Sequence, residues 1–195
     1  MPTRFEACEI RDLQTHPRPK NDPLTSEFHD LNDPIQLGET RITPFEVFHP
    51  APCLAYRVER GGKVFVFCTD HELRHGDDPD DPRQAASLEA ERRLLEHAEG
   101  ADALYRDGQY LRTEYDGVKG IGNSGPVPRM DWGHSCIEDI QEMARRCGVK
   151  RTFIGHHDPN RDWSERNWID ETLRRATKGT DCRIELACAE TVVEL

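Results

Sequence analysis

The side chains best suited to chemistry in this sequence are His49, Asp70, His134 and His156. Three of them close predicted strands: His49 follows ITPFEVF, Asp70 follows KVFVFCT, and His156 follows the strand VKRTFIG. His134 stands just ahead of a predicted helix start. Imidazole and carboxylate together suit zinc, manganese or iron better than calcium. Open α/β layers collect such groups at the carboxyl ends of strands that share one edge. A single histidine after a strand is usually a surface or satisfied one. Spacing alone therefore leaves both readings open, a metal site and a set of unrelated histidines.

The elements that must position these groups are legible from Arg41 onward. ITPFEVFH, CLAYRVE and KVFVFCTD are rich in β-branched and aromatic residues, as strands are. Arg60-Gly61-Gly62 joins the second and third as a hairpin turn. Asp-rich HGDDPDDPR reads as a solvated loop rather than a calcium site, since it has two prolines and no EF-hand spacing. A helix is predicted over Gln84 to Glu99, with Ala85, Leu88, Leu95 and Ala98 on its inner face and Gly100 as the stop. Ala101 to Tyr105 reads as a short buried strand. Asp116 to Met130 is a Gly/Pro loop long enough to be functional, as a substrate lid, or a bland insertion. Ser135-x-x-Glu138 has the pattern of a capping box. The helix it opens turns Ile137, Ile140, Ala144 and Cys147 inward. Val149 to Ile154 follows as a strand, and Asp162-x-x-Glu165 caps a helix carrying Ile169, Leu173 and Ala176. Arg183 to Ala189 is the last strand. Residues 1–40, rich in Pro, Asp and Asn, read as an irregular leader, and residues 41–195 as the domain.

Composition narrows the classes. The 195 residues carry 26 Lys plus Arg against 37 Asp plus Glu, a net charge of −11. An acidic chain lacks the positive field that nonspecific nucleic-acid or membrane-surface binding needs. No apolar run approaches the ~20 residues that span a bilayer. The N-terminus has no basic stretch followed by an apolar one, so a secretory signal is not expected. The 7 Cys include no C-x-x-C pair, which suggests neither a thiolate zinc site nor a disulfide framework. Reduced thiols in a cytoplasmic protein are the expectation.

Several short motifs in order carry a resemblance. Phe48-His49-Pro50, CLAYRV from Cys53, FCTDHE from Phe67, DGQY from Asp107 with Glu114-Tyr115, WGHS from Trp132 and GHHDP from Gly155 resemble the metallo-β-lactamase-fold hydrolases. They are most similar to the branch near ribonuclease Z and small phosphodiesterases. The resemblance implies an α+β fold, the C-terminal half of a four-layer αββα sandwich, with a mixed sheet and helices on its outer face. It implies His49, Asp70 and His156 as metal ligands, Asp70 bridging two cations. His134 would assist proton transfer, and His157 and Asp158 would fix the loop. Zinc is the favoured metal, with manganese and iron as alternatives, two in a complete family site. The substrate implied is a small-molecule or nucleotide-like ester, phosphodiesters before lactones, thioesters or β-lactams.

The family's H-x-H-x-D-H segment is absent from this sequence, and His16 and His29 are isolated. The expectation is therefore an incomplete site holding one metal or none, in a chain that starts in the middle of a family-like domain. The alternative is a truncated or degenerate non-catalytic module, or a half that needs a partner supplying the missing ligands; a partner or second copy is also expected to cover an exposed sheet face. His71, after Asp70, reads as an exposed loop histidine rather than an extra ligand. Cys136 reads as a packing residue.

Overall fold

Gly61 and Gly62, both at positive φ (57° and 76°), close a two-residue turn that no β-branched residue could make without strain. They join β5 (Cys53–Arg60) to β6 (Lys63–Cys68) in the hairpin expected from sequence. The computed structural model describes residues 8–10, 27–29, 31, 33–188 and 192–195. Two short strands, β1 (Cys8–Ile10) and β2 (Glu27–His29), pair with each other in parallel. A third, β3 (Ile35–Leu37), also falls in the stretch read as irregular and pairs with β4 (Thr40–Val47). Most of that leader, with Phe5 and His16, lies outside the described residues.

The main sheet has seven strands in the order β3-β4-β5-β6-β7-β8-β9, where β7 is Ala103–Asp107, β8 Arg151–Gly155 and β9 Arg183–Leu186. Strands β3 to β6 run antiparallel; β6 to β9 are parallel. Parallel neighbours need crossovers, and helices supply them: α1 (Pro82–Ala98), α3 (Ile137–Arg146) and α4 (Trp163–Ala176). A short α2 (Arg112–Tyr115) lies in the loop after β7.

The core sits between the sheet and these helices. Phe45, Val66, Cys68 and Leu104 pack with Leu94, Ala98 and Met143. Ile154, Ile184 and Leu186 pack with Ile140, Ile169 and Leu173. Among the described residues the opposite sheet face carries Phe65, Phe67 and Tyr105, with Val193 and Leu195 beside Phe65 and Tyr105. The Phe67 and Tyr105 rings stack at 5.1 Å, and Phe67 stays 38% exposed.

Three local expectations are corrected. Ala85 and Leu88 face solvent, and α1 instead buries Ser87, Ala90, Glu91, Leu94 and Ala98. Apolar periodicity does not reveal this face, because Ser87 and Glu91 are polar and find partners inside. Ala176 is exposed and Thr177 is buried in its place. Ser135-x-x-Glu138 is not a capping box. Cys136 is the N-cap with no side-chain cap bond, the Ser135 hydroxyl donates to the His71 carbonyl, and Glu138 accepts from the Arg112 amide. The Asp162 cap holds, its carboxylate accepting from the Glu165 amide at 2.8 Å.

Candidate metal centre

The sheet order places the chemistry. Strands β6, β7 and β8 are parallel, and β4 runs the same way because it is two antiparallel steps from β6. Their carboxyl ends therefore share one edge. That edge carries His49 two residues after β4, Asp70 two after β6, Asp107 closing β7 and His156 just after β8.

Ligand-type atoms of His49, Asp70 and His134 all lie within 4.8 Å of one another, and so do those of Asp107, His134 and His156. The two sets share His134. His156 Nδ1 is 3.1 Å from Asp70 Oδ1, and the His134 and His156 rings are 4.6 Å apart. The structure thus sets His49, Asp70, His134 and His156 at one edge, but His49, Asp70 and His156 do not form one such group by themselves, and His134 is the residue common to both.

Backbone strain marks the same place. Asp70, Asp131 and His156 are the non-glycine residues with positive φ among the described residues, at 52°, 71° and 55°. Left-handed backbone costs a residue with a Cβ on the order of 1 kcal/mol or more, and persists where surrounding contacts impose it.

Each group is held from behind. His49 Nδ1 lies 3.1 Å from the Ala51 carbonyl and 3.2 Å from the Ala51 amide; the tautomer that donates to the carbonyl leaves Nε2 free as a ligand atom. Gly133, at φ 90°, lies against that ring, and a Cβ on it would fall 2.2 Å from His49 Cδ2. Asp107, fully buried, accepts from His134 Nδ1 at 2.9 Å and from the His71 amide at 3.4 Å. Burial alone would lower the His134 pKa, but the hydrogen bond and charge of Asp107 outweigh it and raise it.

Glu72 ties the loop to the site. Its Oε1 accepts from the Tyr115 hydroxyl at 2.5 Å and the Asp131 amide at 2.8 Å, and its Oε2 from the Gly133 amide at 2.8 Å. The loop expected as a lid or insertion therefore runs into a fixed turn whose last residue precedes His134.

His71 is the clearest correction. It is fully buried, not exposed. Its Nδ1 accepts from the Phe48 amide at 3.1 Å and its Nε2 donates to Glu91 at 2.9 Å, so it ties the strand end bearing His49 to α1. Glu91 in turn takes both terminal nitrogens of buried Arg106, at 3.0 and 2.7 Å. Burial would raise the Glu91 pKa; Arg106 and His71 overcome this and hold its carboxyl well below the usual range. Asp158 accepts from the Asn160 amide and side chain, and His157 lies 3.4 Å from the Ala187 carbonyl. Cys136 is buried, and desolvation pushes its thiol pKa up, which suits packing and not nucleophilic attack.

Sequence reasoning missed Asp107 as a site residue, although the strand-end rule that picked Asp70 applies to it equally. Glu72 and Gly133 gave no local signal, since their partners come from distant parts of the chain.

No protein-family model matches this sequence, and no curated protein does. Solved structures match at the level of fold. The metallo-β-lactamase fold protein YhfI from Bacillus subtilis superposes with a TM-score of 0.57 at 14% identity, over 89% of this chain and 58% of that one. Zn2+-bound PqqB from Methylobacterium extorquens gives 0.60 at 17% identity, over 87% of this chain and 56% of that one. The short form of human tRNase Z gives 0.52 at 15%, over 96% of this chain and 56% of that one. The chain has the metallo-β-lactamase fold, as one mixed sheet with its helix layer. It spans a little over half the length of these three proteins.

Proposed function

We propose that this chain is a metal-dependent hydrolase of phosphodiesters or related esters. One observation carries the reading: donors from four strand ends and one loop converge at a single sheet edge, two of them on strained backbone. The donor set fits a divalent cation of the zinc, manganese or iron class, with zinc favoured. His49, Asp70 and His156 would hold it, with Asp70 central among them. A cation there supplies a water acidified toward neutral pH and a positive charge against an anionic ester.

The chain's own residues do the rest. Asp107 fixes the His134 ring by accepting its Nδ1 proton, which leaves Nε2 to pass a proton to the leaving oxygen. A raised pKa keeps that imidazole protonated to higher pH, as a general acid needs. Phosphodiesters are preferred because a cation offsets the repulsion that a chain of net charge −11 exerts on an anion. Cys53, Cys68, Cys136, Cys147 and Cys182 are free thiols, in keeping with a cytoplasmic protein.

A second reading has its own observation. Among the described residues Phe67 is left 38% exposed on the sheet face opposite the core helices; on this reading the chain works only as a half, completed by a partner or second copy supplying further ligands. Elemental analysis and hydrolysis of bis(p-nitrophenyl) phosphate separate the two. Bound metal with turnover, both lost in His156→Ala, supports the hydrolase. Metal retained in that variant refutes the ligand assignment. Less than one metal per chain and no turnover supports the half.

A further inference from the structure

Four arginines are buried among the described residues: Arg74, Arg106, Arg129 and Arg161. Three are neutralised by carboxylates. Arg74 meets Asp81 and Asp131, Arg106 meets Glu91, and Arg161 meets Glu114. Arg129 is the exception. It is 7% exposed, yet no described carboxylate lies within 4.0 Å of it; its Nε lacks a hydrogen-bond partner, as do those of the other three. Its guanidinium instead sits against aromatic rings, 4.3 Å from the centre of Trp132 and 5.6 Å from that of Tyr110. Ring faces attract a cation but leave its N–H donors unsatisfied. A buried, unpaired charge is costly, and in a chain of net charge −11 carboxylates are plentiful.

The position is built and close to the candidate centre. The Arg129 amide donates to the Tyr115 carbonyl at 2.8 Å, and the Trp132 amide donates to the Arg129 carbonyl at 3.1 Å. Glu72 holds the next two amides of the turn that can reach it, Asp131 and Gly133. Tyr110, which Arg129 lies over, is edge-on to His134 at 6.2 Å between ring centres.

We infer that Arg129 is the anion anchor of this site, taking the oxygens of a phosphate group carried by the substrate, beside the ester that reaches His134. The inference rests on the hydrolase reading and narrows it to substrates bearing an anionic group that Arg129 can grip. Guanidinium suits that task because its planar fork donates two parallel hydrogen bonds to one phosphate. Aromatic stacking keeps the fork in place before the ligand arrives, so little side-chain freedom is lost on binding.

The test titrates the full chain with adenosine monophosphate, inorganic phosphate and adenosine, with zinc and with chelator, by calorimetry. Arg129→Gln is expected to weaken adenosine monophosphate binding about tenfold or more in the same metal state and leave adenosine unaffected. Arg129→Lys, which keeps charge but not the fork, is expected to fall between. In the wild type the Arg129 Nε–H NMR signal is expected to shift on adding adenosine monophosphate, a readout that needs no variant. Affinities alike in wild type and Arg129→Gln, or an unmoved Nε–H signal, overturn the inference whatever the zinc content. Equal affinity for free phosphate and adenosine monophosphate overturns the substrate-borne assignment. Absence of bound zinc with Arg129-dependent binding intact counts against the hydrolase reading alone.

Discussion

Removing the Glu72 carboxylate is expected to loosen the site before it unfolds the protein. Glu72 is fully buried and accepts three hydrogen bonds, from Tyr115, Asp131 and Gly133. Bonds to a charged acceptor contribute about 1.5–3 kcal/mol each, but their sum overstates the loss because water enters the gap. Glu72→Ala is therefore expected to cost about 3–5 kcal/mol, since three neutral donors are left short of a partner at about 1–3 kcal/mol each and entering water recovers part of the sum. Glu72→Gln divides the effect by geometry. Its remaining oxygen can keep the Tyr115 and Asp131 bonds, while its amide nitrogen would face the Gly133 amide, donor against donor. The cost expected is about 1–2 kcal/mol, one bond lost and one group mispaired. Urea unfolding measures the global cost, and hydrogen exchange at Asp131 and Gly133 measures the local one. Exchange should rise at both amides in Glu72→Ala and mainly at Gly133 in Glu72→Gln. A loss under about 1 kcal/mol with unchanged exchange would refute the claim that this carboxylate holds the turn.

Three further outcomes follow from the same contacts. Gly133→Ala puts a methyl group 2.2 Å from His49 Cδ2 on backbone at φ 90°, so His49 should be displaced and metal content fall while the unfolding transition stays cooperative. Glu91→Gln leaves buried Arg106 without its counter-charge and should cost about 3–5 kcal/mol in denaturant unfolding. His97 stacks on Phe45 at 4.0 Å, and burial, with Arg57 nearby, lowers its pKa below the ordinary 6.5. The unfolded chain therefore takes up the proton first as pH falls. The contribution is full above about 6.5 and lost as pH falls toward the folded pKa. His97→Phe should flatten that part of a stability-against-pH curve.

How far the sequence reached depended on the range of the interaction involved. Gly61-Gly62 and Asp162 act on neighbours within a few residues, and both do what the sequence predicts. The strand ends bearing Asp70 and His156 were legible because helices between strands require parallel neighbours, and that bearing His49 because two antiparallel steps return β4 to the direction of β6. The same pattern contained Asp107, which the reading passed over. Ser135-x-x-Glu138 failed because a hydroxyl three residues from a carboxylate is a capping box only if nothing better competes. Here the His71 carbonyl and Arg106 compete for the hydroxyl from distant sequence.

By itself, then, the sequence determined the strands from β4 onward, the crossovers and the donors that end those strands at one edge, since these follow from local periodicity and chain connectivity. Only the tertiary structure decided which polar residues go inside. His71 is buried because Glu91 and the Phe48 amide meet it there, Glu72 because three donors converge on it, and Arg129 because two aromatic rings enclose it. A buried polar group is stable only where its partners are, and those partners lie as much as 61 residues away, as Gly133 does from Glu72. No local pattern encodes that distance.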